Sequence, residues 1–110
     1  MDFDIKTMDQ GNVITVLQDL DLSRSRDFEK VLLEQAATGK SRLIVDLSAA
    51  QFIDSSGIQA LVVGMKKMKE TGGKIRLVLS NPAILRIFTM LSLNKVFAIF
   101  PTLEDALKQD

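Results

Sequence analysis

A chain of 110 residues with 14 basic and 14 acidic side chains has a formal net charge of zero. This balance argues against a nucleic-acid partner, because phosphate binding requires a basic surplus. The sequence contains no cysteine and no histidine. These absences exclude disulfides, thiolate or imidazole metal sites, and hydrolases that use a histidine base. We therefore predict neither a metal nor a cofactor.

The composition is typical of one folded globular domain, which we expect to span residues 1–110. Hydrophobic residues make up 46% of the chain and charged residues 25%, a balance that favours a buried core over disorder. No apolar run approaches the roughly 20 residues of a membrane span. Residues 1–4 lack the basic and apolar segments of a signal peptide. A cytoplasmic protein that does not bind membranes is therefore expected.

Hydrophobic patterning in the first half of the chain predicts a hairpin, a helix and a buried strand. Residues 3–8 and 13–17 have strand character and are separated by a turn signal at 9–12, which predicts the hairpin. A helix follows, with Ser23 as its predicted N-cap. The apolar run over 42–47 is typical of a strand covered on both faces.

The second half continues to alternate. A helix is predicted from about Ser56 to Thr71, a strand over 74–79, a helix capped by Asn81, a strand over 96–100 and a last helix beginning at Thr102. The order is thus β-β-α-β-α-β-α-β-α. It predicts an α/β fold with a mixed, largely parallel sheet of about five strands, an N-terminal antiparallel hairpin and four helices.

The segment from Phe52 to Gly57 is the strongest candidate for a functional site. It joins a strand to a helix, where side chains lie beside the unpaired N–H groups of a first helical turn. Asp54 or Ser56 is expected to cap this helix, and the hydroxyl of Ser55 is expected to point outward. The string Asp-Ser-Ser-Gly is also a common turn-and-cap sequence, so a purely structural role is the competing interpretation.

Catalysis by these serines is disfavoured. A serine nucleophile requires a base, and the chain has no histidine. A single glycine, Gly57, forms neither a dinucleotide-binding nor a Walker pattern. We therefore interpret Ser55 as a residue that receives a phosphoryl group. The added charge of about −1.5 to −2 would meet the positive end of the helix dipole, leaving the domain folded while repelling a docked partner.

The helix after Gly57 carries apolar residues beyond those needed to face the sheet. Its expected core stripe consists of five residues on one side: Ile58, Leu61, Val62, Met65 and Met68. Ala60 and Val63 are expected on the other side, near Gln59. Two interpretations stay open: another element covers Ala60 and Val63, or they belong to a partner surface.

Several short segments along the chain match a family pattern as an ordered set. They are residues 43–47 (LIVDL), 52–58 (FIDSSGI), 72–75 (GGKI), 81–82 (NP), 87–88 (IF), 96–97 (VF) and 104–107 (EDAL). With these spacings the chain resembles the anti-sigma factor antagonists, bacterial members of the STAS domain family. The resemblance covers essentially the whole chain.

The resemblance implies a non-enzymatic switch in which Ser55 is the phosphorylation site. Unphosphorylated protein would sequester a serine-kinase anti-sigma factor and free the sigma factor, and a PP2C-type phosphatase would act on phospho-Ser55. The loop before the first helix would contribute to partner binding. The predicted partner-binding residues are Asp21, Asp54, Ser55, Ser56, Gly57, Gln59, Ala60 and Val63.

Two segments depart from the family's usual pattern. The loop before the first helix reads Gln18-Asp19-Leu20-Asp21, where the family usually has a Gly-Glu-Leu-Asp-like string. Ser92 stands where the family often has glycine.

Two alternatives from other classes stay open, namely a STAS scaffold subunit of a larger signalling assembly and a nucleotide-binding STAS module.

Overall fold

The structure is a computed structural model that describes residues 2–9 and 11–108. Five strands are present: β1 (Phe3–Met8), β2 (Gly11–Val16), β3 (Arg42–Asp46), β4 (Lys74–Val78) and β5 (Ala98–Phe100). The helices are α1 (Leu22–Ala36), α2 (Ser55–Glu70), α3 (Pro82–Met90) and α4 (Leu103–Leu107), with a short 3-10 helix at Leu93–Lys95. The predicted order of elements is confirmed.

The strands form one sheet in the order β1-β2-β3-β4-β5. The β1–β2 pair is antiparallel, and the other three pairs are parallel, so the predicted mixed sheet with an N-terminal hairpin is confirmed. Among the described residues, no helix combines the length and apolarity needed to cross a membrane.

Helices cover both faces of the sheet. Side chains alternate along each strand, so successive residues of β3 enter different cores. Leu43 and Val45 of β3 join the larger core, to which α1, α2 and α3 contribute Phe28, Leu61 and Phe88. The opposite face of β3 presents Ile44, which packs in a smaller core with Ala106 of α4. The continuous apolar run of β3 therefore reflects burial on both faces, as its sequence predicts.

Close packing of α1 against α2 depends on small residues. Gly64 of α2 faces Leu32 of α1, and a Cβ added at Gly64 would lie 3.3 Å from the Cβ of Leu32. Ala60, one turn earlier on the same side of α2, is 1% exposed. The helix α1 thus packs on the side of α2 that carries Ala60, for which the sequence analysis left open a covering element or a partner surface.

Helix boundaries differ from the predictions in their caps. Asp21, not Ser23, is the N-cap of α1, because its carboxylate accepts a hydrogen bond from the backbone N–H of Arg24 at 3.2 Å. The hydroxyl of Ser23 supports this cap by donating to Asp21 Oδ1 at 2.7 Å. Asn81 and Thr102 cap α3 and α4 as predicted.

The last strand is shorter than predicted. It begins at Ala98 rather than at residue 96, since residues 93–95 form the 3-10 helix that precedes it. Phe97, between the two elements, is 2% exposed and contacts the ring of Phe88. Phe97 is thus buried in the core just before the chain begins to pair with β4 at Ala98.

The Ser92→Gly variant is expected to be more stable than the wild type. Ser92 adopts φ 59° and ψ 22°, the left-handed region that glycine enters without steric penalty. Removing the side chain should raise the free energy of unfolding by about 0.5 to 1 kcal/mol, measured by urea denaturation. Ser80→Gly is the control, because Ser80 is an exposed loop serine outside the left-handed region. An equal effect of both variants would contradict relief of strain at Ser92.

Candidate functional site

The candidate site forms where the loops after β2 and β3 meet. Parallel strands place their carboxyl ends at the same edge of the sheet, so these two loops run side by side. Leu20 donates its N–H to the carbonyl of Phe52 at 3.1 Å, and Asp54 donates its N–H to the carbonyl of Leu20 at 3.0 Å. This short bridge holds the N-termini of α1 and α2 in a fixed relation.

Asp19 fastens the two loops together and was not among the predicted site residues. Its Oδ1 accepts hydrogen bonds from the backbone N–H groups of Gln51 at 2.8 Å and of Phe52 at 3.3 Å. The partners lie more than thirty positions away in sequence, so only the folded chain brings them together. The one signal in the sequence was that Asp19 is acidic and lies in the loop before α1, which departs from the usual family pattern.

Asp54 caps α2 and organises its first turn. Its Oδ1 accepts hydrogen bonds from the N–H groups of Ser56 at 2.9 Å and Gly57 at 3.1 Å, and also from the Ser56 hydroxyl. The Ser56 hydroxyl is the main cause that lowers the pKa of Asp54, and the two N–H groups add to it against an opposing effect of desolvation. The carboxylate is therefore held in its charged form.

The two adjacent serines have different environments. Ser56 is half-buried, and besides its contact with Asp54 its Oγ lies 2.8 Å from the hydroxyl of Ser25 on α1. Ser55 is exposed, and its hydroxyl makes no hydrogen bond to any residue in the described part of the chain. Of the two serines, Ser55 is thus the more accessible to another molecule.

The N-terminus of α1 mirrors that of α2. The Ser23 hydroxyl is the main cause that lowers the pKa of Asp21, and the backbone N–H and guanidinium of Arg24 act in the same direction. The charge of Asp21 raises the pKa of Asp54 slightly against these effects. The carboxylates of Asp21 and Asp54 therefore lie near one another at the N-termini of α1 and α2, and the guanidinium of Arg24 pairs with Asp21.

A shallow groove of about 330 Å³ runs between α1 and α2 beside the serines. Ser25, Arg26 and Glu29 line it from α1, and Ser56 and Gln59 line it from α2. Leu22 stands at its end and is 77% exposed. The sequence prediction missed Leu22, although an apolar residue between Asp21 and Ser23 was a visible signal.

The structure separates the predicted partner-binding residues into accessible and buried ones. Ser55 and Gln59 are exposed, whereas Asp54, Ser56, Asp21 and Val63 are half-buried. Ala60 is 1% exposed, which favours the interpretation that another element covers this side of the helix.

Gly57 is also buried, and its role is to permit close packing. A Cβ at this position would lie 2.8 Å from Ile53 Cγ1 and 2.9 Å from Leu20 Cβ, distances that real Cβ atoms do not reach without a shift of the neighbours. The absent side chain lets the α2 N-terminus sit directly on the two joined loops. We expect its part in partner binding to be limited to shaping the site.

Acid is expected to weaken both helix caps. A carboxylate whose pKa is lowered on folding contributes stability that is fully present above its unfolded-state pKa of about 4, and that is lost as the pH falls through the folded-state pKa. We expect the thermal midpoint of the wild type to drop by several degrees between about pH 5 and pH 3. Asp54→Asn keeps a capping acceptor without a titrating charge, so its midpoint should drop less, as measured by thermal circular dichroism. An equal drop would contradict the role assigned to Asp54.

Comparison with known proteins identifies the family of this chain. The model of the STAS domain matches residues 3–106. The anti-sigma-F factor antagonist RsfB of Mycobacterium tuberculosis is 30% identical over 95 residues, which cover 86% of this chain and 77% of RsfB. The crystal structure of an anti-sigma factor antagonist from Mycobacterium paratuberculosis is 30% identical, with a TM-score of 0.82 over 96% of this chain and 89% of that chain.

Two further solved structures show the same fold at lower identity. SpoIIAA in its unphosphorylated form has a TM-score of 0.74 at 17% identity, covering 94% of this chain and 92% of its own. The phosphorylated form from Bacillus has a TM-score of 0.74 at 20% identity, covering 96% of each chain. From the match of the domain model and the similarity to RsfB, the chain belongs to the STAS domain family.

Proposed function

We propose that this protein is an anti-sigma factor antagonist controlled by phosphorylation of Ser55. The observation that carries the proposal is the difference between the two serines: Ser55 is exposed and unengaged within the described residues, whereas Ser56 is held by Asp54 and Ser25. A kinase requires a hydroxyl that it can reach. The names of the relatives support the pathway, since RsfB and the Mycobacterium paratuberculosis protein are both described as anti-sigma factor antagonists.

The site is built so that a phosphoryl group changes binding without changing the fold. A dianion on Ser55, the first residue of α2, lies at the positive end of the helix dipole. The nearby carboxylates of Asp54 and Asp21 already accept hydrogen bonds from the N–H of Ser56 and from the hydroxyl of Ser23. The new charge is stable while it faces water, but it becomes unfavourable when a partner covers it.

The groove between α1 and α2 supplies the rest of the docking surface in this proposal. Leu22 offers an apolar anchor at its end, and Arg26 and Glu29 offer charges of both signs along its wall. Phe52, which is 51% exposed, adds a second apolar side chain on the loop before Asp54. Apolar anchors flanked by polar residues are typical of energetically important contacts in interfaces.

Leu22→Ser is expected to weaken binding to the cognate anti-sigma factor at least about tenfold, because an exposed anchor would lose its buried contact. Its stability should be almost unchanged, since the side chain is 77% exposed in the free protein. Isothermal titration calorimetry measures the affinity. Leu91→Ser is the control, because Leu91 is 58% exposed and lies beyond the end of α3, outside the groove. Wild-type affinity for Leu22→Ser, or an equal loss for both variants, would contradict the proposed surface.

In the proposed cycle, two enzymes act on this protein: a kinase and a phosphatase. The anti-sigma factor acts as the serine kinase that modifies Ser55, and a PP2C-type phosphatase returns the protein to its binding form. In this scheme the chain itself performs no catalysis. It supplies a positioned hydroxyl and a surface whose affinity depends on the state of that hydroxyl.

A further inference from the structure

A second concave site lies at the other end of the molecule from Ser55. The strand β5 pairs only with residues 76–78 of β4, so the first two residues of β4 extend beyond the start of β5. A cavity of about 550 Å³ forms there. It is lined by the last turns of α2, the beginning of β4 and the segment that enters β5: Met65, Lys69, Gly73, Lys74, Ile75, Arg76, Lys95, Val96, Ala98 and Phe100.

Within residues 2–9 and 11–108, the ionisable residues that line this cavity are all basic, namely Lys69, Lys74, Lys95 and Arg76. This is unexpected in a chain whose formal net charge is zero. Lys69 and Lys95 are exposed. Within residues 2–9 and 11–108, neither forms an ion pair. The cavity therefore has a positive rim that favours an anion.

Arg76 also lines the cavity, and its side chain is fixed by the C-terminal part of the chain. The side chain is 3% exposed, and its Nη1 donates to the carbonyls of Ala106 at 2.8 Å and Lys108 at 2.6 Å. Its charge also lies 5.3 Å from the centre of the Phe100 ring. The group is therefore held in one position by α4 and by an aromatic face.

The remaining lining residues are mostly apolar. Met65 and Ile75 belong to the larger core, and Val96, Ala98 and Phe100 contribute the other apolar lining. Val96 is 50% exposed. The volume falls in the range of sites that bind small organic ligands, in which apolar walls carry a few convergent polar groups.

We propose that this cavity binds a small amphiphilic anion, with a medium-chain carboxylate as the simplest form. The carboxylate would lie at the exposed amines of Lys69 and Lys95, and the hydrocarbon chain would cover Met65 and Val96. A fully hydrated inorganic anion would leave the apolar wall uncovered, and an uncharged alcohol would not use the lysines. The combination of charge and apolar area therefore selects the ligand class.

Decanoate is the probe, used below its micelle-forming concentration so that only the monomer is present. Titration followed by ¹⁵N–¹H correlation spectra should shift the amides of Gly73 and Ala98, with a dissociation constant of about 1 mM. The amide of Ser55 should not move. Acetate and decanol should each bind at least about fivefold more weakly, because acetate lacks the long hydrocarbon chain and decanol lacks the negative charge. Decanol binding as tightly as decanoate would overturn the proposal, as would shifts confined to other regions.

Lysine variants test the rim directly. Lys69→Gln and Lys95→Gln should each weaken decanoate binding about two- to fivefold, in keeping with exposed charge pairs. Lys66→Gln is the matched control, because Lys66 is an exposed lysine on α2 that does not line the cavity. Unchanged affinity in both rim variants, or an equal loss in the control, would contradict the proposed site. The Ser55→Asp variant should bind decanoate as the wild type does, which separates this site from the proposed switch.

Discussion

The Ser55→Asp variant is expected to fold like the wild type and to bind the anti-sigma factor at least about 100-fold more weakly, a change of about 2.7 kcal/mol. The side chain at this position is exposed and begins α2, so the new carboxylate faces water and the positive end of the helix dipole in the free protein. In the complex it would be covered beside Asp54. Removing a charge from water without a compensating partner easily reaches this energy.

Matched variants separate this electrostatic effect from the loss of the hydroxyl. Ser55→Ala removes the hydroxyl without adding charge and should keep affinity within about threefold of the wild type. Ser41→Asp adds the same charge at an exposed serine before β3, at the opposite end of that strand from the site, and should bind normally. Calorimetric titration gives all three affinities. A Ser55→Asp variant that binds as tightly as Ser41→Asp would show that charge at Ser55 does not control docking.

Phosphorylation is expected to distinguish two adjacent serines almost completely. Incubation with the cognate kinase and ATP should add about 80 Da to the wild type and to Ser56→Ala, but nothing to Ser55→Ala, as measured by intact-mass spectrometry. Ser56 should be a poor acceptor because its hydroxyl contacts Asp54 and Ser25 inside the site.

Ser56→Ala also serves as the control for folding. Loss of the hydrogen bonds made by Ser56 Oγ should lower the free energy of unfolding by about 1 kcal/mol, while the backbone N–H groups of α2 continue to be capped by Asp54. Modification of Ser55→Ala to the same extent as the wild type would contradict the assignment of the acceptor.

The order of elements was predictable because local signals determine it. The alternation of strands and helices, the caps at Asn81 and Thr102 and the turn between β1 and β2 each depend on residues close in sequence. The continuous apolar run of β3 further indicated that the sheet is covered on both faces, and the structure confirms this. The exposed position of Ser55 likewise followed from a local strand-to-helix junction.

Other features depend on contacts between distant parts of the chain. A helical wheel shows that Ala60 is apolar, but it does not show which neighbouring element covers it. In the folded chain Ala60 is 1% exposed, and α1 packs on Gly64 one turn later. Asp19 joins residues more than thirty positions away, and Leu22 becomes a candidate anchor only beside the groove that α2 completes. Tertiary packing, not local propensity, determines these roles.

Localisation of the phosphoryl group in the kinase-treated wild-type protein tests the central claim most directly. Tandem mass spectrometry of the peptide that contains residues 52–66 assigns the modification to one hydroxyl. The structure predicts phosphate on Ser55, whose hydroxyl is exposed. Phosphate on Ser56, or a protein that binds the kinase yet carries no phosphate, would contradict the account.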